Sequence, residues 1–114
     1  MSETIFDKII SRDIPAEIVY EDENYLAFND INPQAPIHIL IIPKKRIPTI
    51  NDIKSNDSEL IAGLFFTAKD IAIQKGIDKD GYRLILNCNE NGGQSVYHIH
   101  LHLIAGRKLS WPPG

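Results

Sequence analysis

Residues 97–104 read Tyr97-His98-Ile99-His100-Leu101-His102-Leu103-Ile104, and their alternation decides how the chain folds. Successive side chains of a β-strand point to opposite faces, so His98, His100 and His102 share one surface while Ile99, Leu101 and Leu103 share the other. The apolar side must be buried, which leaves the imidazole side for chemistry. The only other histidine, His38, lies in the run His38-Ile39-Leu40-Ile41-Ile42. Every imidazole of the chain therefore falls on a candidate sheet.

Neighbouring segments extend that sheet. Pro36 and Pro43 bracket the β-branched run Ile37 to Ile42, which suits a strand buried on both faces. Two extended runs, Glu17 to Tyr20 and Tyr25 to Asn29, flank an acidic turn and read as a hairpin closed by the segment from Asp30 to Pro36. After Asp80-Gly81 the run from Tyr82 to Cys88 alternates as a strand, and a polar loop, residues 89–95, leads into the histidine strand. Helical spacing appears twice. Ile5, Phe6, Ile9 and Ile10 follow a capping Thr4, and Pro15 closes that region. A longer helix runs from near Asp57 to the terminator Gly76, with an apolar face of Leu60, Ile61, Leu64, Phe65, Ala68, Ile71 and Ala72. Phe66 and Ile73 form a second stripe. A loop would cover it in a monomer, but a subunit interface is the favoured reading, since small domains commonly form two-fold dimers. No βα repeat occurs, so the expected class is α+β: an antiparallel sheet with a short N-terminal helix and one long helix, residues 1–114 forming one domain.

Composition narrows the function. The 114 residues carry 12 basic and 15 acidic side chains, a net charge of −3, with no basic block to grip a nucleic-acid polymer. Cys88 is the only cysteine, which excludes an intramolecular disulfide and a Cys-based zinc site. No apolar run approaches the ~20 residues of a membrane span, and the amino terminus lacks a basic leader. A cytoplasmic protein without membrane partners is expected.

Two chemistries compete for the histidines. Alternate strand residues are about 6.6 Å apart, so His98 and His102 stand too far apart to converge with His100 on one metal ion. A site of two histidines and one borrowed aspartate is the surviving metal version. The stronger reading is nucleophilic attack at phosphorus, for which neutral imidazole suits physiological pH. His100 has a donor on each side, and transition-state charge on non-bridging oxygens needs donors. The loop Asn91-Gly92-Gly93-Gln94-Ser95 adds backbone amides and a hydroxyl of the kind that cradle phosphate. Asn87 falls on the face opposite Tyr82, Leu84 and Leu86, where it is either a strand terminator or a site residue. Asp30 is either a turn former or a partner for ribose hydroxyls. His38 is either a core histidine or the group that orients a triad imidazole.

These residues resemble a known family. The pattern from His98 to Ile104 matches the His-x-His-x-His-x-x signature of the histidine triad (HIT) family, and the stretch from Gly92 to Arg107 is similar to its Hint branch. Segments 4–23, 26–45, 80–87 and the terminal Trp111-Pro112-Pro113-Gly114 resemble Hint in the same order. The resemblance implies a HIT-like fold and a homodimer whose sheets join into one continuous sheet. It implies hydrolysis of purine nucleoside phosphoramidates and aminoacyl-adenylates, with no cofactor and no metal. His100 would be the nucleophile, His102 would hold phosphate oxygens, and His98 with His38 would set the reactive tautomer. Ser95, the amides of Gly93 and Gln94, and Asn87 would surround the phosphate and leaving group. Asp30 would bind the ribose beside Ile31, with the purine among Phe6, Ile9, Ile14 and Leu40. Trp111 would reach the neighbouring subunit's site. The loop from Cys88 to Asn91 departs from the family pattern. Two rivals remain: dinucleoside polyphosphate hydrolysis, as in the Fhit branch, and a nucleotide-binding scaffold without catalysis.

Overall fold

The computed structural model describes residues 3–114, and in it the run between the two prolines is the middle of the molecule. The elements in chain order are α1 (Ile5–Ile10), β1 (Ile18–Glu21), β2 (Tyr25–Asn29), β3 (Ile37–Pro43), α2 (Ser58–Gln74), β4 (Tyr82–Ile85), α3 (Asn89–Gly92) and β5 (Leu101–Ala105). Single 3₁₀ turns, Ile50–Asp52 and Ser55–Asp57, occupy the lysine-rich connection before α2. All strand pairs are antiparallel, in the order β1-β2-β3-β5-β4. The α+β expectation holds. With neighbours on both sides, β3 buries Ile39 and Ile41 on one face and Leu40 and Ile42 on the other.

The two faces differ as the alternation requires. One carries Ala27, Ile39, Ile41, Leu101 and Leu103, and packs against Leu64, Ala68, Ile71 and Ala72 of α2. The other carries Leu26, Phe28, Leu40 and Ile42, covered by Phe6 and Ile9 of α1. Thr4 caps α1 in a reciprocal capping box with Asp7, in which Thr4 N–H donates to Asp7 Oδ2 at 2.8 Å. The cap fixes the angle at which Phe6 enters the second face. Phe65, assigned by periodicity to the apolar face of α2, is instead 44% exposed, because the core-facing arc is narrower and centred on Leu64. Phe66 and Ile73 are exposed as expected.

The histidine strand is shorter than its alternation suggests. The β3–β5 ladder begins at Ile41 opposite Leu101, and residues 97–100 lie outside it. Pro43 has no N–H to offer a longer ladder, and its carbonyl is taken by the His98 ring, with Nε2 at 2.7 Å. Ile99 N–H turns instead to Ile47 O at 2.8 Å. The alternation survives, with Ile99 buried on the α2 side and the histidines on the other. For the same reason β4 stops at Ile85, opposite His102, short of Cys88.

α2 approaches the sheet closely at Gly63. A methyl group there would lie 1.8 Å from Tyr25 Oη, which donates to Leu60 O at 2.7 Å. Gly63→Ala is expected to lower stability by about 1–3 kcal/mol, the usual range for an overfilled site. Chemical denaturation of Gly63→Ala and of Gly63→Ala/Tyr25→Phe checks the cause, since removing the hydroxyl should recover part of the loss.

Candidate active site

His102 is the only triad histidine on β5, and its neighbours give its ring one proton arrangement. Gln34 N–H donates to His38 Nδ1 at 3.0 Å, so that nitrogen is bare and the His38 proton sits on Nε2. From there it donates to His102 Nδ1 at 2.9 Å. A neutral His102 then carries its own proton on Nε2, where it is a donor. His100 is set by similar logic with the opposite outcome. Its Nδ1 lies 2.8 Å from His98 O, a pure acceptor, so Nδ1 holds the proton and Nε2 presents a lone pair. The site thus places one nucleophilic nitrogen beside one N–H donor, with ring centroids 5.0 Å apart.

This corrects one expected link. His38 supports His102, whereas His98 is held separately by Pro43 O. His98 still serves the tautomer of His100, but through its backbone carbonyl. Its own Nδ1 is buried 3.8 Å from Asp7 Oδ1.

Burial disfavours the charged form of every imidazole in the cluster. It lowers the pKa of His38, His98 and His100, and Asp30 opposes the shift for His38 and His100. His102 drops furthest, from 6.5 to about 4, through burial and then the proximity of His100 and His38. Neutral histidines are what a nucleophile and an N–H donor at pH 7 require. Phe6 closes the back of the site, edge-on to His100 at 4.9 Å and to His98 at 5.9 Å.

The residues expected to bind nucleotide divide. Asp30 follows β2 at the same end as His38, its Oδ2 3.4 Å from His38 Nε2, while its Oδ1 accepts Asn32 N–H at 2.8 Å. The turn reading of Asp30 holds, and its second carboxylate oxygen lies beside His38. Ile31 is 94% exposed beside it. Phe6, Ile9 and Leu40 belong to one buried cluster with Ile14 at its margin, and a cleft of about 390 Å³ opens beside it, lined by Ile9, Ile14, Pro15, Ala16 and Ile18 with Arg12. The loop before the triad is partly helical. Gly93 N–H donates to Glu90 O and Gln94 N–H to Asn89 O, each at 3.0 Å, so both amides expected at the phosphate are spent on closing α3. Gln94 contributes its side chain instead, holding Asn89 N–H, Pro48 O and Val96 O. Ser95 is exposed, and the Asn87 amide lies against the Gly92-Gly93 turn. Trp111 is 82% exposed on a tail that Arg83 ties to the β4 edge through Ser110 O.

Gln34 and the carbonyls of Pro43 and His98 were not found from sequence. Backbone groups set three of the four ring orientations, and a peptide group has no residue identity to read.

Asp30, His38 and His102 each offer a ligand atom, all within 4.8 Å of one another, which is the two-histidine, one-aspartate set. Their hydrogen bonding opposes a metal. Binding through His38 Nε2 moves the proton of a neutral ring to Nδ1, where it collides with the Gln34 N–H.

The sequence and the fold both match known proteins. A family model described as HIT domain matches residues 11–109. The chain is 56% identical over 107 residues to a purine nucleoside phosphoramidase of Escherichia coli K12, covering 94% of this chain and 90% of that protein. It is 53% identical over 115 residues to a 14 kDa zinc-binding protein of Zea mays, covering 99% and 89%. A crystal structure of a HIT family hydrolase from Legionella pneumophila Philadelphia 1 superposes with a TM-score of 0.96 at 56% identity, covering 98% of this chain and all of that one.

Proposed function

The chain belongs to the HIT family, and from that premise we propose that it hydrolyses the P–N bond of purine nucleoside phosphoramidates through a nucleotidyl-histidine on His100. The observation that carries the reading is the paired tautomers: a bare Nε2 on His100 beside a protonated Nε2 on His102.

In the first step the Nε2 lone pair of His100 forms a bond to the α-phosphorus. The P–N pair departs with the amine, which takes up a proton from solvent, and an equivalent proton is released when water attacks in the second step. Adenylylation leaves positive charge on the His100 ring, and His98 O, already accepting from Nδ1, stabilises it. His102 Nε2–H meets the negative charge gathering on the non-bridging oxygens, an interaction that strengthens toward the transition state. Water then attacks phosphorus and returns His100 with release of the nucleotide. Asp30 accepts the ribose hydroxyls, the cleft beside Ile9 and Ile14 takes the purine, and Ser95 and Asn87 flank the leaving group. Adenosine 5′-phosphoramidate and lysine joined to AMP fit this scheme; an aminoacyl-adenylate would react at the same phosphorus with its P–O bond broken and a carboxylate, which needs no proton, as the leaving group. The proposed assembly is a homodimer joined through the unpaired edge of β4, which would carry each tail, with Trp111, toward the other subunit. The single cysteine suits a cytoplasmic setting.

The test compares adenosine 5′-phosphoramidate with diadenosine triphosphate under identical conditions, with and without excess chelator. Preferential cleavage of the P–N substrate, unchanged by chelation, is expected. Preference for the triphosphate would move the chain to the polyphosphate hydrolases, nucleotide binding without turnover would make it a scaffold, and loss on chelation would restore the metal.

A further inference from the structure

One residue outside the triad, the nucleoside loop and the tail reaches the site through hydrogen bonds alone. Arg107 follows β5, and its Nε and Nη2 both donate to Gln34 O, at 3.3 and 3.0 Å. The same peptide segment presents Gln34 N–H to His38 Nδ1 at 3.0 Å, and His38 passes the polarity on to His102 at 2.9 Å. Contacts beside Arg107 enforce the approach. Gly106 has φ +96°, and a Cβ there would lie 2.8 Å from Pro36 Cβ, so the turn and the loop from Asp30 to Pro36 meet where only glycine fits.

We propose that Arg107 is a positioning residue for the reaction, holding the Gln34 residue so that its N–H keeps His38 in the Nε2–H tautomer and His102 a donor to phosphate. The inference rests on the phosphoryl-transfer reading of the site. Two donors converging on one carbonyl fix more than its distance, because they also restrict rotation of the loop about it. Without them the Gln34 N–H is free to leave His38 Nδ1, and the proton on His38 is no longer confined to Nε2. In the inverted arrangement His102 Nδ1 becomes the donor, and its Nε2 turns a lone pair toward an anionic substrate. The loss falls where charge develops, on kcat rather than on KM.

Arg107→Ala and Arg107→Met test this, the second retaining the aliphatic stem so that a folding defect in the first does not decide the matter. Two readouts are taken: long-range ¹H–¹⁵N spectra of the imidazoles, and kcat and KM for adenosine 5′-phosphoramidate. The His38 nitrogens are expected to move from the Nε2–H pattern toward a mixture. A kcat lower by about 10-fold is expected, the scale of losses when a supporting group is removed, with KM changed less than about twofold. Arg107→Lys, which restores one donor, should recover part of both. Unchanged His38 nitrogens in Arg107→Met, or a loss confined to KM, would overturn the proposal. If the native protein fails to cleave the phosphoramidate, the functional reading falls, while the nitrogen spectra still decide the role of Arg107.

Discussion

Replacing His100 with alanine or glycine should abolish turnover and leave nucleotide binding measurable. Of the four imidazoles, His100 alone is fixed with its proton on Nδ1, by His98 O, and its Nε2 lone pair free for substrate. Its ring lies against the edge of Phe6 in an apolar wall, so no neighbouring nitrogen can take its place. The loss should be at least on the order of 10⁴-fold in kcat, as when a catalytic nucleophile is deleted. AMP affinity by calorimetry should change by less than about 10-fold, because the cleft and the Asp30 carboxylate proposed to hold the nucleoside are untouched. Brief mixing of the native protein with substrate, followed by peptide mass spectrometry, should place an adenylyl group on His100. Full activity in either variant, or an adduct on His98 or His102, contradicts the assignment.

Alternation made the grouping of the imidazoles legible early, and it is instructive where alternation misled. The segregation of imidazoles from Ile99, Leu101 and Leu103 follows from side-chain direction, which persists in any extended chain, so it held although residues 97–100 are not in the ladder. Where the ladder stops depends on Pro43, 55 residues upstream of His98, and on its carbonyl being claimed by an imidazole. Local pattern carries no record of such a pairing. The prolines around β3 and the cap at Thr4 were readable because their effects act within a few residues. The glycine pair at Gly92-Gly93 signalled a turn, but its amides proved to be consumed by that turn, a matter of φ and ψ at Asn89 and Gly93. Family likeness supplied the expectation that the histidines have unequal roles. Only geometry shows that His38 serves His102 rather than His98.

The activity and the stability of this fold should part company as pH falls. Burial keeps all four histidines neutral below the usual range, with His102 titrating near 4. The adenylylation rate in single turnover, corrected for acid hydrolysis of the substrate, should therefore hold through pH 6.5 and fall only at lower pH, as the buried rings finally take up protons. Stability behaves differently, because it depends on the unfolded chain as well. Between pH 6.5 and about 4 an unfolded histidine binds a proton that folded His102 refuses. Protons then favour unfolding, so stability rises with pH across that window and is lost as pH drops through it. The His102 shift corresponds to about 3 kcal/mol over the window, a figure that already includes its repulsion with His100 and His38, and the shifts of the other three histidines have the same sign. Urea titrations from pH 7.5 to 4.5 should show a steady fall in stability while the single-turnover rate at low denaturant still holds near pH 6. His102→Asn, which cannot take up the proton, should make the stability profile shallower, leaving the slope that the other three histidines supply. A rate that declines with a midpoint at 6.5 or above would mean that the nucleophile is charged in the folded protein, and the arrangement of donor and lone pair described for His100 and His102 would not survive that result.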